Sequence, residues 1–174
     1  ISTADEAARL VRYMRYPPDG ERSSGPTRAV YAHGKDYAVR ANASVMAFAM
    51  IETAEGLANL EGILATPGLD GIYVGPSDLT LSVSQGKRPP GLDRQEAEMQ
   101  AHLQRIAAAC QRQGVIAAIH CATPGYAATA IGWGYRMTTV GGDVRFLSAG
   151  AAEAVAGFRR LTGGKALEEG PAGY

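Results

Sequence analysis

Two acidic residues, each placed just after an apolar run, are the groups of this chain best placed to do chemistry. Glu52 ends the apolar run of residues 45–51, and Asp78 follows the shorter run of residues 71–74 through a Gly-Pro turn at residues 75–76. Unbroken apolar runs are typical of parallel strands covered on both faces. Neighbouring parallel strands lie only about 4.8 Å apart, so acids at their carboxyl ends can converge on one divalent cation.

Each acid also has a simpler interpretation. Glu52 precedes Thr53, which predicts the N-cap of a helix, and an acid beside a helix N-terminus is stabilising by itself. Asp78 fits an Asx turn after Gly75 and Pro76. Neither interpretation conflicts with ligation, and the presence of two acids on adjoining strands favours the cation.

Four apolar segments that alternate with helical patterns would position these acids. The predicted strands are residues 45–51, 71–74, 115–119 and 136–140. A helix over residues 3–16 precedes the first of them. This alternation predicts an α/β fold with a parallel sheet, and because a (β/α)8 barrel takes about 250 residues, it predicts the C-terminal half of a TIM barrel. An open doubly wound sheet is the alternative, although no Gly-x-Gly-x-x-Gly motif follows any strand.

Helix boundaries are marked by capping residues. Asp93 and Glu96 predict a capping box for a long helix that ends at Gly114. Thr123 and Pro124 predict the start of the next helix, with proline in its favoured first-turn position.

Other segments define the predicted domain organisation. Residues 19–43, rich in Gly, Ser and Pro, are interpreted mainly as a long loop with a weakly patterned part. Residues 1–162 are predicted to form a single, partial βα-barrel domain, and residues 163–174 a flexible C-terminal tail. Because the chain begins at Ile1 and enters a helix almost at once, we expect it to be a fragment.

Composition narrows the class of protein. Among the 174 residues, 17 Lys and Arg balance 17 Asp and Glu, so no basic surplus points to nucleic acid or to an anionic membrane surface. The sequence has no apolar run long enough to span a bilayer. Cys110 and Cys121 form no disulfide framework, which favours reduced thiols in a cytoplasmic protein.

Several motifs together resemble the HpcH/HpaI aldolase family, the class II pyruvate aldolases, and the likeness covers nearly the whole chain. The motifs are Met50-Ile51-Glu52-Thr53, Pro67-Gly68-Leu69-Asp70-Gly71-Ile72, Gly75-Pro76-Ser77-Asp78-Leu79, Tyr16-Pro17-Pro18, Gly25-Pro26-Thr27-Arg28-Ala29 and Val140-Gly141-Gly142-Asp143. The resemblance implies a metal-dependent TIM barrel that assembles into homo-oligomers, commonly hexamers, with helix exchange between subunits.

The resemblance also implies site residues. Glu52 and Asp78 would ligate Mg²⁺, or Mn²⁺ or Co²⁺, and the backbone amides of Ser77 and Asp78 would hold the carboxylate of pyruvate. The segment Gly75, Pro76, Ser77 and Asp78 is thus the implied substrate-binding segment, in which Gly75 lets substrate approach the backbone closely.

The catalytic residues of the family are not matched here. Its histidine and arginine come from early barrel strands, upstream of this chain, so His33, His102 and His120 are not assigned that role. Met50 stands where some members carry glutamine. We expect His120, with Cys121, to line the pocket.

The activity that the resemblance implies is a reversible, metal-assisted retro-aldol cleavage. A 4-hydroxy-2-oxo acid, of the 2,4-dihydroxyhept-2-ene-1,7-dioate type known from aromatic catabolism, would give pyruvate and an aldehyde. One alternative is an acyl-CoA lyase of the citrate lyase β-subunit and malyl-CoA lyase type, although no basic cluster is present for the nucleotide. Another is a catalytically incomplete half barrel that acts only in oligomerisation or pyruvate binding.

Overall fold

The computed structural model describes residues 1–25 and 27–164, and these residues form one parallel sheet with nine helices. The strands are Phe48–Ile51 (β1), Gly71–Val74 (β2), Ile116–Ile119 (β3) and Met137–Thr138 (β4). The helices are Ala4–Met14 (α1), Arg28–His33 (α2), Tyr37–Ser44 (α3), Ala54–Ala58 (α4), Leu60–Leu64 (α5), Pro76–Val83 (α6), Ala97–Gln113 (α7), Pro124–Gly132 (α8) and Asp143–Thr162 (α9).

The sheet runs in sequence order, β1-β2-β3-β4, with every neighbouring pair parallel. Crossovers between parallel strands are right-handed, so an order that never reverses keeps the connecting helices on the same face. A doubly wound sheet needs a reversal of that order. The parallel α/β class is therefore confirmed, and the doubly wound alternative is wrong for the described strands.

Alternate residues of the strands face the helices. Ile51, Ile72, Val74 and Ile119 are completely buried there, and burying such a side chain is worth about 1.5–3 kcal/mol. They pack in one core with side chains of the flanking helices, which include Leu60, Ile63, Leu79, Leu103 and Ile106.

The opposite face of the sheet, called the open face below, is exposed at its two outer strands in the described part of the chain. Met50 of β1 is 41% exposed and Met137 of β4 is 45% exposed. The expectation that the first strand is covered on both faces is therefore wrong for these residues. An apolar run records that both faces are apolar, but it carries no information on what covers each face.

Three predicted helix ends are confirmed because local chemistry sets them. The Thr53 hydroxyl accepts a hydrogen bond from the Gly56 amide at 2.9 Å, and Thr123 Oγ1 caps α8 through the Tyr126 amide at 3.3 Å. Gly114 ends α7 with φ +72°, a left-handed conformation that glycine adopts without strain.

The predicted capping box at Asp93 is wrong. The N-cap of α7 is Glu96, whose side chain forms no cap hydrogen bond. The Asp93 carboxylate instead accepts hydrogen bonds from the Ala122 amide at 2.8 Å and the Thr123 hydroxyl at 2.6 Å. Because the carboxylate is bonded to these donors, which are about 30 positions further along the chain, it does not cap its own helix.

The interpretation of residues 19–43 as a long loop is partly wrong, because α2 and α3 occupy much of it. Since α3 extends to Ser44 and Val45 is its C-cap, β1 begins at Phe48, later than the predicted residue 45. Tyr37 and Ala41 of α3 pack with Tyr16 in a small second core.

The C-terminal end of the chain lies mostly outside the described residues. Gly163 ends α9 with φ +72°, whereas the predicted tail of residues 163–174 extends beyond residue 164 and is not described there. The single partial domain of residues 1–162 stays a prediction. None of the helices within the described residues is long and apolar enough to cross a lipid bilayer.

Candidate active site

The carboxyl edge of the sheet brings four residues into one row. The last paired residues, Ile51, Val74, Ile119 and Thr138, are level with one another across the four strands. The next residue of each strand therefore also lies level with its neighbours. The row consists of Glu52, Gly75, His120 and Thr139.

Glu52 lies against Gly75 on the next strand. A Cβ atom added to Gly75 would be 3.1 Å from Glu52 Oε2 and 3.3 Å from Glu52 Cβ. The same position would be 3.9 Å from the sulfur of Met50, a residue of the open face. Because Gly75 has no side chain, the Glu52 carboxylate can lie across the end of β2.

Asp78 lies in the first turn of α6. Gly75 is the N-cap of this helix, and Pro76 is its first helical residue. The amides of Ser77 and Asp78 donate no hydrogen bond to a described residue. Free amides at the N-terminus of a helix carry partial positive charge and bind anions. The implied substrate-binding segment is thus the N-terminal turn of α6, next to Glu52.

The two carboxylates fit a divalent cation that shares its coordination sphere with water and substrate. Glu52 is half-buried and Asp78 exposed, and neither has a hydrogen bond or ion pair to another side chain in the described part of the chain. Within residues 1–25 and 27–164, no three His, Cys, Asp or Glu side chains are grouped closely enough to hold a metal. Two acids with open positions are typical of Mg²⁺ rather than structural zinc.

A cavity of about 730 Å³ adjoins this site at the same edge of the sheet. It reaches the α6 turn at Ser77 and continues over the ends of β3 and β4; Glu52 and Asp78 are not among its lining residues. Its walls are residues 89–93, 120–123 and 141–145.

His120 and Cys121 line this cavity, as the sequence predicts. Tyr73 of β2 is a partner that sequence reasoning missed: its hydroxyl oxygen lies 2.7 Å from His120 Nδ1. Burial raises the pKa of the Tyr73 phenol, so it keeps its proton at neutral pH. The alternation of β2, with Ile72 and Val74 buried on the helix side, is the signal that points Tyr73 to the open face.

Cys121 has a buried side chain. Burial, with a smaller effect of the Asp93 charge, raises the pKa of its thiol to about 11. The thiol is therefore neutral at physiological pH, and a neutral thiol is a poor nucleophile.

Residues 89–93 form one cavity wall, and Arg94 anchors it. The Arg94 side chain is buried, pairs with Glu96, and donates to the carbonyl of Pro89 at 3.3 Å. The carbonyl of Arg94 accepts a hydrogen bond from the Tyr126 hydroxyl at 2.8 Å. Together with the Asp93 bonds, these contacts attach the wall to α8.

Known proteins resemble this chain in sequence and in fold. The family model described as HpcH/HpaI aldolase/citrate lyase matches residues 1–149. Hydroxypyruvate/pyruvate aldolase of Rhizorhabdus wittichii is 34% identical over 161 residues, which are 92% of this chain and 63% of that protein. The enzyme of the same name from Paraburkholderia phytofirmans is 37% identical over 153 residues, 84% of this chain and 57% of that protein.

The crystal structure of an HpcH/HpaI aldolase/citrate lyase family protein from Burkholderia cenocepacia superposes with a TM-score of 0.77 at 32% identity. The match covers 91% of this chain and 62% of that one. This chain therefore spans about 60% of the length of its relatives, which confirms the predicted partial barrel. The chain belongs to the HpcH/HpaI aldolase/citrate lyase family.

Proposed function

We propose that this chain forms the pyruvate-binding and cation-binding part of an aldolase. The observation that carries the proposal is that two carboxylates without a side-chain partner among the described residues lie at the same edge of the sheet as the free N-terminal amides of α6. Glu52 lies against Gly75, the N-cap of that helix, and Asp78 is in its first turn. Acids without cationic side-chain partners, next to amides without acceptors, suit a ligand that is a cation on one side and an anion on the other.

Pyruvate together with a divalent cation has both parts. The amides of Ser77 and Asp78 bind the carboxylate of pyruvate, and Gly75 leaves room for its backbone-side approach. Glu52 and Asp78 hold Mg²⁺, Mn²⁺ or Co²⁺, which when bound supplies Lewis-acid stabilisation of the charge that develops on the keto oxygen.

The substrate class is a 4-hydroxy-2-oxo acid, cleaved reversibly to pyruvate and an aldehyde. Two relatives bear the name hydroxypyruvate/pyruvate aldolase, which supports a small 2-oxo acid as one reactant. The cavity beside Ser77 offers space for the aldehyde-derived half. The base that moves the proton at the pyruvate methyl group is not assigned to any residue of this chain, and neither is the arginine of the family.

A homo-oligomer is part of the proposal. Helix α9 has no buried residue, and it exposes large apolar side chains along most of its length. Exposed apolar patches of this kind mark interaction sites, and we propose that a second copy of the chain covers this one in a hexamer-type assembly. The exposed residues are Val144, Phe146, Leu147, Val155, Phe158 and Leu161.

The test is proton–deuterium exchange at the pyruvate methyl group, followed by NMR in D₂O. The protein is expressed from its complete coding sequence and measured with Mg²⁺ or Mn²⁺ and then with a chelator. Exchange that needs the cation supports the proposal without any assumption about the aldehyde. Absence of exchange, while calorimetry still detects pyruvate-dependent cation binding, would reduce the role to binding alone.

A parallel assay separates the acyl-CoA lyase alternative. Among the lining residues of the cavity, Arg145 is the only Lys or Arg, and a CoA nucleotide carries several phosphate charges. We therefore expect turnover of a hydroxy-oxo acid and none of a malyl-CoA thioester. The reverse result would move the proposal to the CoA branch.

A further inference from the structure

His120 has a defined place in the cavity that the proposed function does not use. Its Nδ1 atom is 2.7 Å from the Tyr73 hydroxyl, and the two rings meet edge to face with centroids 6.1 Å apart. Its Nε2 atom forms no hydrogen bond with a described residue. One nitrogen of the ring is therefore anchored in the sheet, and the other is available to the cavity that His120 lines.

Tyr73 fixes the direction of the histidine. The phenol is half-buried on the open face of β2, and the Thr139 side chain lies near enough to affect its pKa. Thr139 itself is held at the end of β4 by two hydrogen bonds of 2.7 Å with the backbone of Cys121. A histidine anchored through Nδ1 presents Nε2 in a constant direction, since this hydrogen bond fixes the orientation of the ring.

The row of residues at the carboxyl edge places His120 relative to pyruvate. Glu52 and His120 lie level with each other on either side of Gly75, one strand away from it in each direction. Two strand spacings are about 9.6 Å, and no side chain fills the position between them. When pyruvate is bound at the α6 turn, the aldehyde that reacts with it therefore lies above the end of β3, next to His120.

We propose that His120 is a specificity-determining residue, whose Nε2 hydrogen-bonds an oxygen substituent on the aldehyde-derived half of the substrate. The chain then prefers hydroxy- or oxo-aldehydes to alkyl aldehydes of the same size. Tyr73 is the positioning residue for this contact. The inference rests on the proposed function, and it adds the chemical class of the aldehyde.

The preference follows from the cost of an unmade hydrogen bond. An alkyl aldehyde leaves Nε2 without a partner when it displaces water from the cavity, whereas a hydroxylated one replaces the lost hydrogen bond. Sites built to bond a hydroxyl reject the analogue that lacks it more strongly than apolar pockets reject an added hydroxyl. We expect about a tenfold to hundredfold preference.

The experiment compares glycolaldehyde with propionaldehyde, which have equal numbers of heavy atoms, as acceptors for pyruvate. The readout is the ratio of their kcat/KM values, because a loss of activity common to both cancels in that ratio. Wild-type protein should favour glycolaldehyde, and His120→Leu should lower the ratio about tenfold or more relative to wild type. His120→Gln, which keeps a polar end, should restore part of the preference.

Tyr73→Phe tests the positioning role, because it removes the anchor without touching the ligand. We expect a smaller fall in the ratio, together with a change in the ¹⁵N chemical shifts of the His120 ring that reports a changed tautomer population. His102→Leu on α7 is the matched control: this histidine lies outside the cavity lining and should leave the ratio as in wild type.

Two results would overturn the inference, and they differ in what else they affect. In the first, the wild-type protein exchanges the pyruvate methyl protons, and His120→Leu, His120→Gln and Tyr73→Phe all have the wild-type aldehyde ratio. The proposed function then stands, but His120 has no role in selecting the aldehyde. A wild-type protein without cation-dependent exchange overturns the proposed function and this inference together.

Discussion

The two edges of the same sheet contain carboxylates in opposite situations. At the amino edge, Asp70 accepts hydrogen bonds from the Ala47 amide at 2.6 Å and from the Arg15 guanidinium at 3.0 Å. Arg15 is buried and also donates to the carbonyls of Val45 and Gly68. The charge of Asp70 is therefore satisfied by partners inside the fold.

At the carboxyl edge, Glu52 and Asp78 have no such partner in the described part of the chain. Glu52 lies over a glycine, and Asp78 is exposed in the first turn of α6. The position of an acid at a strand end is therefore not enough to make it functional. What distinguishes the two edges is whether the fold itself satisfies the charge.

The largest effect should come from removing the unpartnered acids. Glu52→Gln and Asp78→Asn should each lower cation-dependent pyruvate exchange by about 10³-fold, since the cation supplies several kcal/mol of charge stabilisation. Calorimetry should show weaker Mn²⁺ binding. The free energy of unfolding should change by only about 0.5 kcal/mol, because neither acid has a side-chain hydrogen bond or ion pair to lose among the described residues.

Glu55→Gln is the control for that experiment. Glu55 is an exposed acid in the first turn of α4, close in sequence but outside the row. A loss of exchange as large in Glu55→Gln as in Glu52→Gln would show that general charge, not ligation, is responsible, and would erase the distinction between the edges.

At the amino edge, in contrast, we expect a substitution to lower the stability of the protein. Arg15→Met should lower the free energy of unfolding by about 3 kcal/mol, because Asp70 loses its cation and two carbonyls lose their donor. Urea unfolding measures the change. Arg12→Met, which breaks an exposed pair with Glu21, should cost about 0.5 kcal/mol. Equal losses in the two variants would mean that the Arg15 cluster is not a stabilising network.

An intermediate effect is expected from Gly75→Ala. Its φ of −98° allows alanine, so the added methyl group acts through contact and not through backbone strain. The methyl group would lie 3.1 Å from Glu52 Oε2 and push the carboxylate aside. We expect about a tenfold weaker cation affinity by calorimetry, comparable to the loss of a ligand-orienting contact.

Gly125→Ala in α8 is the matched control for Gly75→Ala, because a Cβ there meets no atom within 4 Å. It should leave cation affinity unchanged and raise helix stability by up to about 1 kcal/mol. Unaltered affinity in Gly75→Ala as well would argue against Glu52 as a ligand in the position seen here.

The smallest expected effect is a pH dependence of stability that comes from Cys121, a buried residue at the carboxyl edge of the sheet. Burial raises the pKa of the Cys121 thiol from 9.0 to about 11. Between these values the unfolded chain binds fewer protons than the folded one, so stability falls as pH rises. We expect this thiol to contribute a loss of about 1 kcal/mol between pH 9 and pH 10.

Urea unfolding at several pH values tests this contribution. Cys121→Ala should make the decline above pH 9 shallower, whatever its effect on stability at pH 7. The remaining slope includes Cys110, whose thiol pKa burial raises to about 12. An identical slope in Cys121→Ala and wild type would show that Cys121 is open to solvent.

Features that depend only on residues close together in sequence were predicted correctly. The apolar segments ended close to the observed strands, and the hydroxyl of Thr123 and the left-handed Gly114 ended helices as predicted. It failed at Asp93, which matches a capping box by type and spacing, because stronger donors reach it from another loop. The short helices α2 and α3 were missed, because six and eight residues contain too few turns for a clear period.

The sequence alone determines the order of the elements and the presence of acids after two apolar runs, because hydrophobic periodicity and helix caps depend on residues only a few positions apart. Which acids remained without a partner was settled only when the chain folded. Arg15 reaches Asp70 across 55 positions, and Tyr73 reaches His120 across 47. Such pairings depend on strand order and register, which bring distant residues together, and no local pattern encodes them.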